Sequence, residues 1–286
     1  MAEIIERFGP LAGEYDVLLC DVWGVIHNGT AAFPSACAAL TRFRAAGGTV
    51  ILITNAPRPA AAVQRVLDRL GVPREAYDAI ASSGDVTRRV VENRLPQRLF
   101  HLGPQRDLSI FSGLDVDFAP VESADYAVCS GLFDDTTETP EDYRRLLAVM
   151  RERGLFMACA NPDLVVERGD KLVYCAGAIA DAYARLGGEV LYCGKPHAPI
   201  YEAALGAAAG CRGGEVPSLP SVLAIGDSVR TDLIGATALG IDCLFVISGI
   251  VAEELGGRGA PDAPGLNAIF AAAGVAPKAV ARQLVW

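Results

Sequence analysis

The hydrophobic pattern of the chain is a series of short apolar runs that stop on polar residues. Val17 to Cys20 is apolar and ends at Asp21, with Gly24 close behind. TVILIT ends at Thr54 with Asn55 next, EVLYCG ends just before Lys195, and SVLAIG ends just before Asp227. Runs of this kind mark strands buried on both faces, so each polar residue stands where a strand stops and a turn begins. In an open parallel sheet the binding crevice lies outside the carboxyl ends of the strands. Four such ends would therefore bring two acids, a hydroxyl and a lysine into one pocket.

Between the runs lie helix-period segments with their own stop signals. Pro34 to Ala46 reads as a helix opened by proline and closed by Gly47-Gly48. A second, from about Pro59 to Leu70, is stopped by Gly71 and Pro73. Strand alternating with helix implies an α/β fold with a parallel sheet and right-handed crossovers. From Ser82 the rhythm continues with shorter strands, RLFHLG, ADYAVCSG and LFMACANPD, and helices near 85–94, 140–153 and 176–186. None of these strands ends in a carboxylate flanked by glycine as Asp21 and Asp227 do. Residues 83–186 are accordingly expected to form an inserted domain, with 1–82 and 187–286 forming the core. In that core the strand to Cys193 rejoins the first sheet, followed by a helix from Pro199 to Ala209, the strand to Ile225, a helix from Asp232 to Leu239 and the strand DCLFVIS. The tail from Ala260 is expected to hold one helix, Pro264 to Ala273, and an irregular end.

Composition narrows the partners. With 286 residues, 51% of them apolar, there is ample material for a packed core, and two domains are expected. The net charge of -9, without a basic cluster, disfavours nucleic acid and anionic membrane. No apolar run approaches a membrane span, and MAEIIERFGP lacks the basic and apolar segments of a signal peptide. The eight cysteines include no CxxC pair, and five lie in strand-like runs. They read as buried thiols of a cytoplasmic protein. The sequence leaves a homo-oligomer open.

Adjacent Asp21 and Asp227 repel unless a cation lies between them, and two hard oxygen ligands completed by water and a substrate phosphate suit Mg²⁺. Lys195 would supply a point charge for a phosphate oxygen, and Thr54 with nearby backbone N–H groups would supply donors. Any one of these residues alone reads as a cap, a surface lysine or a strand-end hydroxyl. Four at four strand ends read as a site.

These residues resemble the motifs of the haloacid dehalogenase superfamily of aspartate-nucleophile hydrolases. The similarity is to class IIA, the branch of nucleotide, 4-nitrophenyl and pyridoxal phosphate phosphatases. The first motif is Asp21 with Gly24 and Val25, the second Thr54-Asn55, the third Gly194-Lys195-Pro196, and the fourth Gly226-Asp227-Ser228 continuing to Thr231-Asp232. SGLFDDTTETPEDY and ANPD resemble sequence of the class IIA cap. The resemblance implies a Rossmann-like core carrying an α/β cap and a catalytic set of Asp21, Thr54 and Lys195. It implies phosphate binding by Thr54, Asn55 and Lys195, with Arg58 reaching a substrate anion. The implied Mg²⁺ is held by Asp21, Asp227, the Trp23 backbone carbonyl and, through water, Asp232.

Trp23 is the departure. Phosphatases of the family carry a second aspartate two residues after the nucleophile, to protonate the leaving oxygen and later activate water. Such a group is commonly worth about 10² to 10⁴ in rate. His27 and His197 are the nearby candidates to replace it, against the plain reading of packing histidines. Asp134 and Asp135 are either substrate selectors or an acidic turn before a helix. The expected activity is Mg²⁺-dependent hydrolysis of a small phosphorylated molecule with a good leaving group. The alternatives are a phosphometabolite-binding or regulatory protein without turnover, and dehalogenation, which needs no such acidic cluster.

Overall fold

A computed structural model of the chain describes residues 3–168, 171–247 and 263–286. The chain divides into two compact units, one comprising Met1–Thr54, Gln64–Ala81 and Tyr201–Trp286, the other Asn55–Val63 and Ser82–Ile200. In chain order the strands are β1 (Glu3–Ile5), β2 (Val17–Asp21), β3 (Thr49–Thr54), β4 (Ala79–Ser82), β5 (Leu99–Leu102), β6 (Tyr126–Cys129) and β7 (Phe156–Cys159). They continue with β8 (Val165–Arg168), β9 (Lys171–Tyr174), β10 (Val190–Tyr192), β11 (Val222–Gly226), β12 (Asp242–Val246) and β13 (Ala279–Ala281).

The first unit is organised by a seven-stranded sheet in the order β1-β13-β12-β11-β2-β3-β4. The pairings from β1 through to β3 are all parallel. Every residue of β2, β3 and β11 is buried, which is why their sequences read as unbroken apolar runs. From β2 the chain moves outward to β3 and β4, then returns to β11 on the other side of β2. The carboxyl ends of β2 and β11 therefore flank a topological switch point, the place where open α/β sheets bind ligands. The α/β fold with a parallel core sheet is as the run pattern predicts.

The second unit has a four-stranded sheet in the order β10-β7-β6-β5 and a two-stranded pair, β8-β9. The four strands pair in parallel. Their core is closed by Leu147, Met150, Ile179 and Tyr183 from the helices Arg144–Glu152 and Ala176–Arg185. The Tyr183 hydroxyl, buried with its ring, donates to the Leu155 carbonyl at 2.6 Å.

Several expectations are corrected here. The strand before Lys195 does not rejoin the first sheet: β10 pairs with β7 at the edge of the second. The end of the chain is not wholly irregular, since β13 sits between β12 and β1. The expected helix from Asp232 begins instead as a π turn, Val229–Leu233, and becomes α-helical at Ile234. The helix expected from Pro140 opens with a 3₁₀ turn, Pro140–Tyr143. The end of the expected strand at Ser248, and 260–262, lie outside the described residues.

No disulfide links the eight cysteines, and all but Cys211 are buried. Burial pushes the Cys129 thiol up to about 12, leaving it protonated and inert. Among the described residues no helix is long and apolar enough to cross a membrane.

Candidate active site

Register alone places the central groups of the first unit. Asp21, the last residue of β2, pairs with Ile53 of β3, so Thr54 is the next residue along the neighbouring strand. On the other side, Ile225 of β11 pairs with Cys20, and Asp227 follows Gly226 beyond the strand. The order β11-β2-β3 thus sets Asp21 between Asp227 and Thr54 at one edge of the sheet.

Asp232 joins them through the π turn. The Ser228 carbonyl accepts from both Asp232 N (3.0 Å) and Leu233 N (3.1 Å), and the wider loop turns the Asp232 side chain back toward the strand end. There its carboxylate accepts from Ser228 N at 3.2 Å, and the Ser228 hydroxyl accepts from Thr231 N at 3.3 Å. Gly226 makes the approach feasible: a Cβ at that position would lie 2.1 Å from the Asp232 carboxyl carbon. Asp21, Asp227 and Asp232 each offer an oxygen, and the three atoms lie within 4.8 Å of one another. Asp21 and Asp232 are buried and Asp227 is half-buried. At that separation each pair of like charges costs about 3 kcal/mol for an effective dielectric of about 20. An all-oxygen, crowded and largely buried donor set fits a hard divalent cation.

After Asp21 the chain makes a tight flap. Gly24 N donates to the His27 carbonyl at 2.8 Å and Asn28 N donates to Ala31 O at 3.3 Å. His27 is buried, its Nδ1 accepts from Gly29 N at 2.9 Å, and burial lowers its pKa to about 4. It is therefore neutral at pH 7, with its Nδ1 engaged by the flap backbone. Trp23 contacts its edge, with ring centroids 5.3 Å apart, and is 50% exposed.

The remaining sequence candidates belong to the second unit. Asn55 grips the main chain of Lys195: its Oδ1 accepts from Lys195 N at 2.7 Å and its Nδ2 donates to Lys195 O at 3.1 Å. The second Nδ2 hydrogen goes to Asp163, at 2.9 Å. Both side-chain N–H donors of Asn55 are thus taken up by Lys195 and Asp163, and its side chain fixes the main chain at Lys195. Lys195 itself is buried. Arg58 lies with its Nε 3.9 Å from Asp107, a residue of the short 3₁₀ helix Gln105–Phe111 that no sequence pattern singles out. Asp107 is 2% exposed and burial pushes its pKa up to about 6, opposed by Arg106 and Arg58 and by a hydrogen bond from Ser130. The Ser130 hydroxyl also lies 2.9 Å from Nε2 of His101. His197 stacks on Tyr192, with centroids 4.4 Å apart. Asp134 accepts from Thr136 and Thr137 and Asp135 pairs with Arg106, the plain reading of an acidic turn.

Comparison with known proteins gives this architecture its family. The pattern described as haloacid dehalogenase-like hydrolase matches residues 18–117, and a second HAD-like hydrolase pattern matches 192–280. A crystal structure of a hydrolase of the haloacid dehalogenase-like family from Brucella suis 1330 is 50% identical, covering 87% of this chain and 94% of its own, with a TM-score of 0.81. The chain belongs to the haloacid dehalogenase-like hydrolases. Two further similarities show the fold of this hydrolase alone. A possible sugar phosphatase of the HAD superfamily from Cytophaga hutchinsonii ATCC 33406 is 20% identical, with 99% of each chain covered and a TM-score of 0.78. A p-nitrophenyl phosphatase from Archaeoglobus fulgidus is 19% identical, covering 94% of this chain and 97% of its own, with a TM-score of 0.73. No curated protein matches the hydrolase.

Proposed function

We propose that this hydrolase is a class IIA phosphatase of the cytoplasm, cleaving a small phosphorylated metabolite through an aspartyl phosphate on Asp21. The observation that carries the reading is the cluster of Asp21, Asp227 and Asp232 at the switch point of the sheet. A carboxylate at a buried strand end is ionised at neutral pH beside a cation and needs no base to act as a nucleophile.

In the first step an Asp21 oxygen bonds to phosphorus and the bond from phosphorus to the leaving oxygen breaks, with the electron pair leaving on that oxygen. In the second, a water oxygen bonds to phosphorus and gives up a proton to solvent, the bond from phosphorus to the Asp21 oxygen breaks with its electron pair staying on that oxygen, and the carboxylate is regenerated as inorganic phosphate forms. Thr54 and Lys195 hold the transferring phosphoryl oxygens, Asn55 fixes the Lys195 backbone, and Arg58 faces the substrate. A divalent cation of the Mg²⁺ type, held by Asp21, Asp227, the Trp23 carbonyl and through water by Asp232, would neutralise phosphoryl charge. No carboxylate stands at position 23 to protonate the departing oxygen or to take a proton from water. The preferred esters are consequently those whose alcohol departs as a stable anion.

The test is phosphate release from a panel of phosphometabolites supplemented with aryl and acyl phosphates, with Mg²⁺ and with chelator. Metal-dependent release, greatest for the most acidic leaving groups and lost in Asp227→Asn, is expected. Release that persists in chelator, or in Asp227→Asn, contradicts the assignment.

A further inference from the structure

We propose that the indole of Trp23 is a stacking platform that selects phosphate esters of flat, acidic alcohols: phenols, hydroxypyridines and enols. The inference rests on the phosphatase reading above and goes beyond it by naming the shape of the leaving group.

Three observations converge on this residue. The first is position: Trp23 is two residues beyond Asp21, where β2 has just ended at the carboxyl edge of the sheet. The second is that the ring is mounted. It meets the buried His27 edge-on at 79°, and it lies over Gly29, whose φ is +83° and where a Cβ would fall 2.3 Å from the far carbon of the indole. A side chain at position 29 would have to displace the indole, and the positive φ there favours glycine as well. The third is exposure: Trp23 is half exposed although the flap that carries it is tied by backbone hydrogen bonds. An exposed aromatic face, braced on His27 two residues from the proposed nucleophile, loses little conformational entropy when a flat group stacks on it.

The chemistry of the same residue points to the same ligands. An indole N–H does not serve as a general acid at neutral pH, so the leaving oxygen departs unprotonated. Alcohols acidic enough to do so are mostly those whose anion is delocalised over a planar ring or double bond. Such groups also present a π-face. Small acyl phosphates share the acidity but offer little surface, so stacking separates the two classes.

Binding separates this idea from turnover. In a Trp286→Phe background Trp23 is the remaining tryptophan of the two in the chain. With Mg²⁺ present, 4-nitrobenzylphosphonate and ethylphosphonate are titrated by calorimetry, and Trp23 emission is followed in parallel. We expect the aryl phosphonate to quench Trp23 and to bind roughly 2- to 13-fold more tightly than the alkyl one, the range of an aromatic pair. That preference should survive Trp23→Phe in large part and vanish in Trp23→Leu. Equal affinity for the two ligands, or an aryl preference that survives Trp23→Leu, overturns the platform alone. Binding of neither ligand overturns the phosphatase reading and the platform with it.

Discussion

Burial holds His27 and His101 near pKa 4 and pushes Asp107 up to about 6, and these shifts act on stability in opposite senses. For the histidines the folded pKa lies below the unfolded 6.5, so their contribution is present above that pH and lost as pH falls toward 4. For Asp107 the folded chain keeps its proton up to about 6 while the unfolded chain releases it near 3.8. Its contribution is therefore present at low pH and lost as pH rises through 6. Stability of the wild type should rise between pH 4 and 6.5 with the Asp107 term opposing the climb. Asp107→Asn removes the opposing term, so urea midpoints measured across that window should climb more steeply in the variant. An unchanged or shallower slope contradicts the burial account. Trp23 supplies a second prediction at this scale. Trp23→Asp installs the missing acid, so turnover of an alkyl phosphate should increase by at least tenfold, and by more than turnover of 4-nitrophenyl phosphate, whose phenolate needs no proton. Steady-state kinetics on the two esters checks it, and equal or absent gains count against the proton-shuttle argument.

Among the elements, the loop carrying Lys195 has its main chain gripped on both sides of that residue by the Asn55 amide. Asn55→Ala leaves the buried Lys195 N–H and carbonyl without their partners, a loss of about 1 to 3 kcal/mol in stability. Because the same bonds orient Lys195, kcat should fall further than KM rises, and an Asn55→Ala enzyme with wild-type kcat would show that Lys195 is positioned by something else. This clamp spans 140 positions of sequence, and nothing local announces it. The elements that were legible are those whose burial imprints a pattern: β2, β3 and β11 are buried throughout and read directly as apolar runs. β1, β4 and β13 have only three or four residues each and leave no run to read. The strand EVLYC was recognisable as a strand, yet its apolar pattern carries no record of its partner, and it pairs with β7 in the second sheet. The start of the helix near Asp232 was misread because the i to i+5 bonds to the Ser228 carbonyl obey local capping that apolar periodicity does not express. Asp107 stayed hidden for a related reason, since a buried carboxylate in a short 3₁₀ helix looks like a surface one until its burial is known.

For the whole molecule, the sheet order explains why residues from two distant segments meet. A strand order that reverses at β2 and β11 brings Asp21, Asp227 and Asp232 within 4.8 Å across more than 200 residues of chain. The strand-end carboxylates were readable from sequence, and their convergence required only the parallel-sheet rule. If Asp21 is the nucleophile, the reaction has two covalent halves, and the absence of a carboxylate at position 23 weighs most on the second, in which water must be deprotonated. An initial burst of 4-nitrophenolate close to one equivalent, followed by slower turnover, is the kinetic expectation. The most direct measurement is acid quenching of the enzyme during turnover of 4-nitrophenyl phosphate, followed by mass analysis of its peptides. A phosphoryl group on Asp21, present in the wild type and missing in Asp21→Asn, is the predicted result. Turnover with no phosphoryl adduct at Asp21, or an adduct that persists in Asp21→Asn, would contradict it.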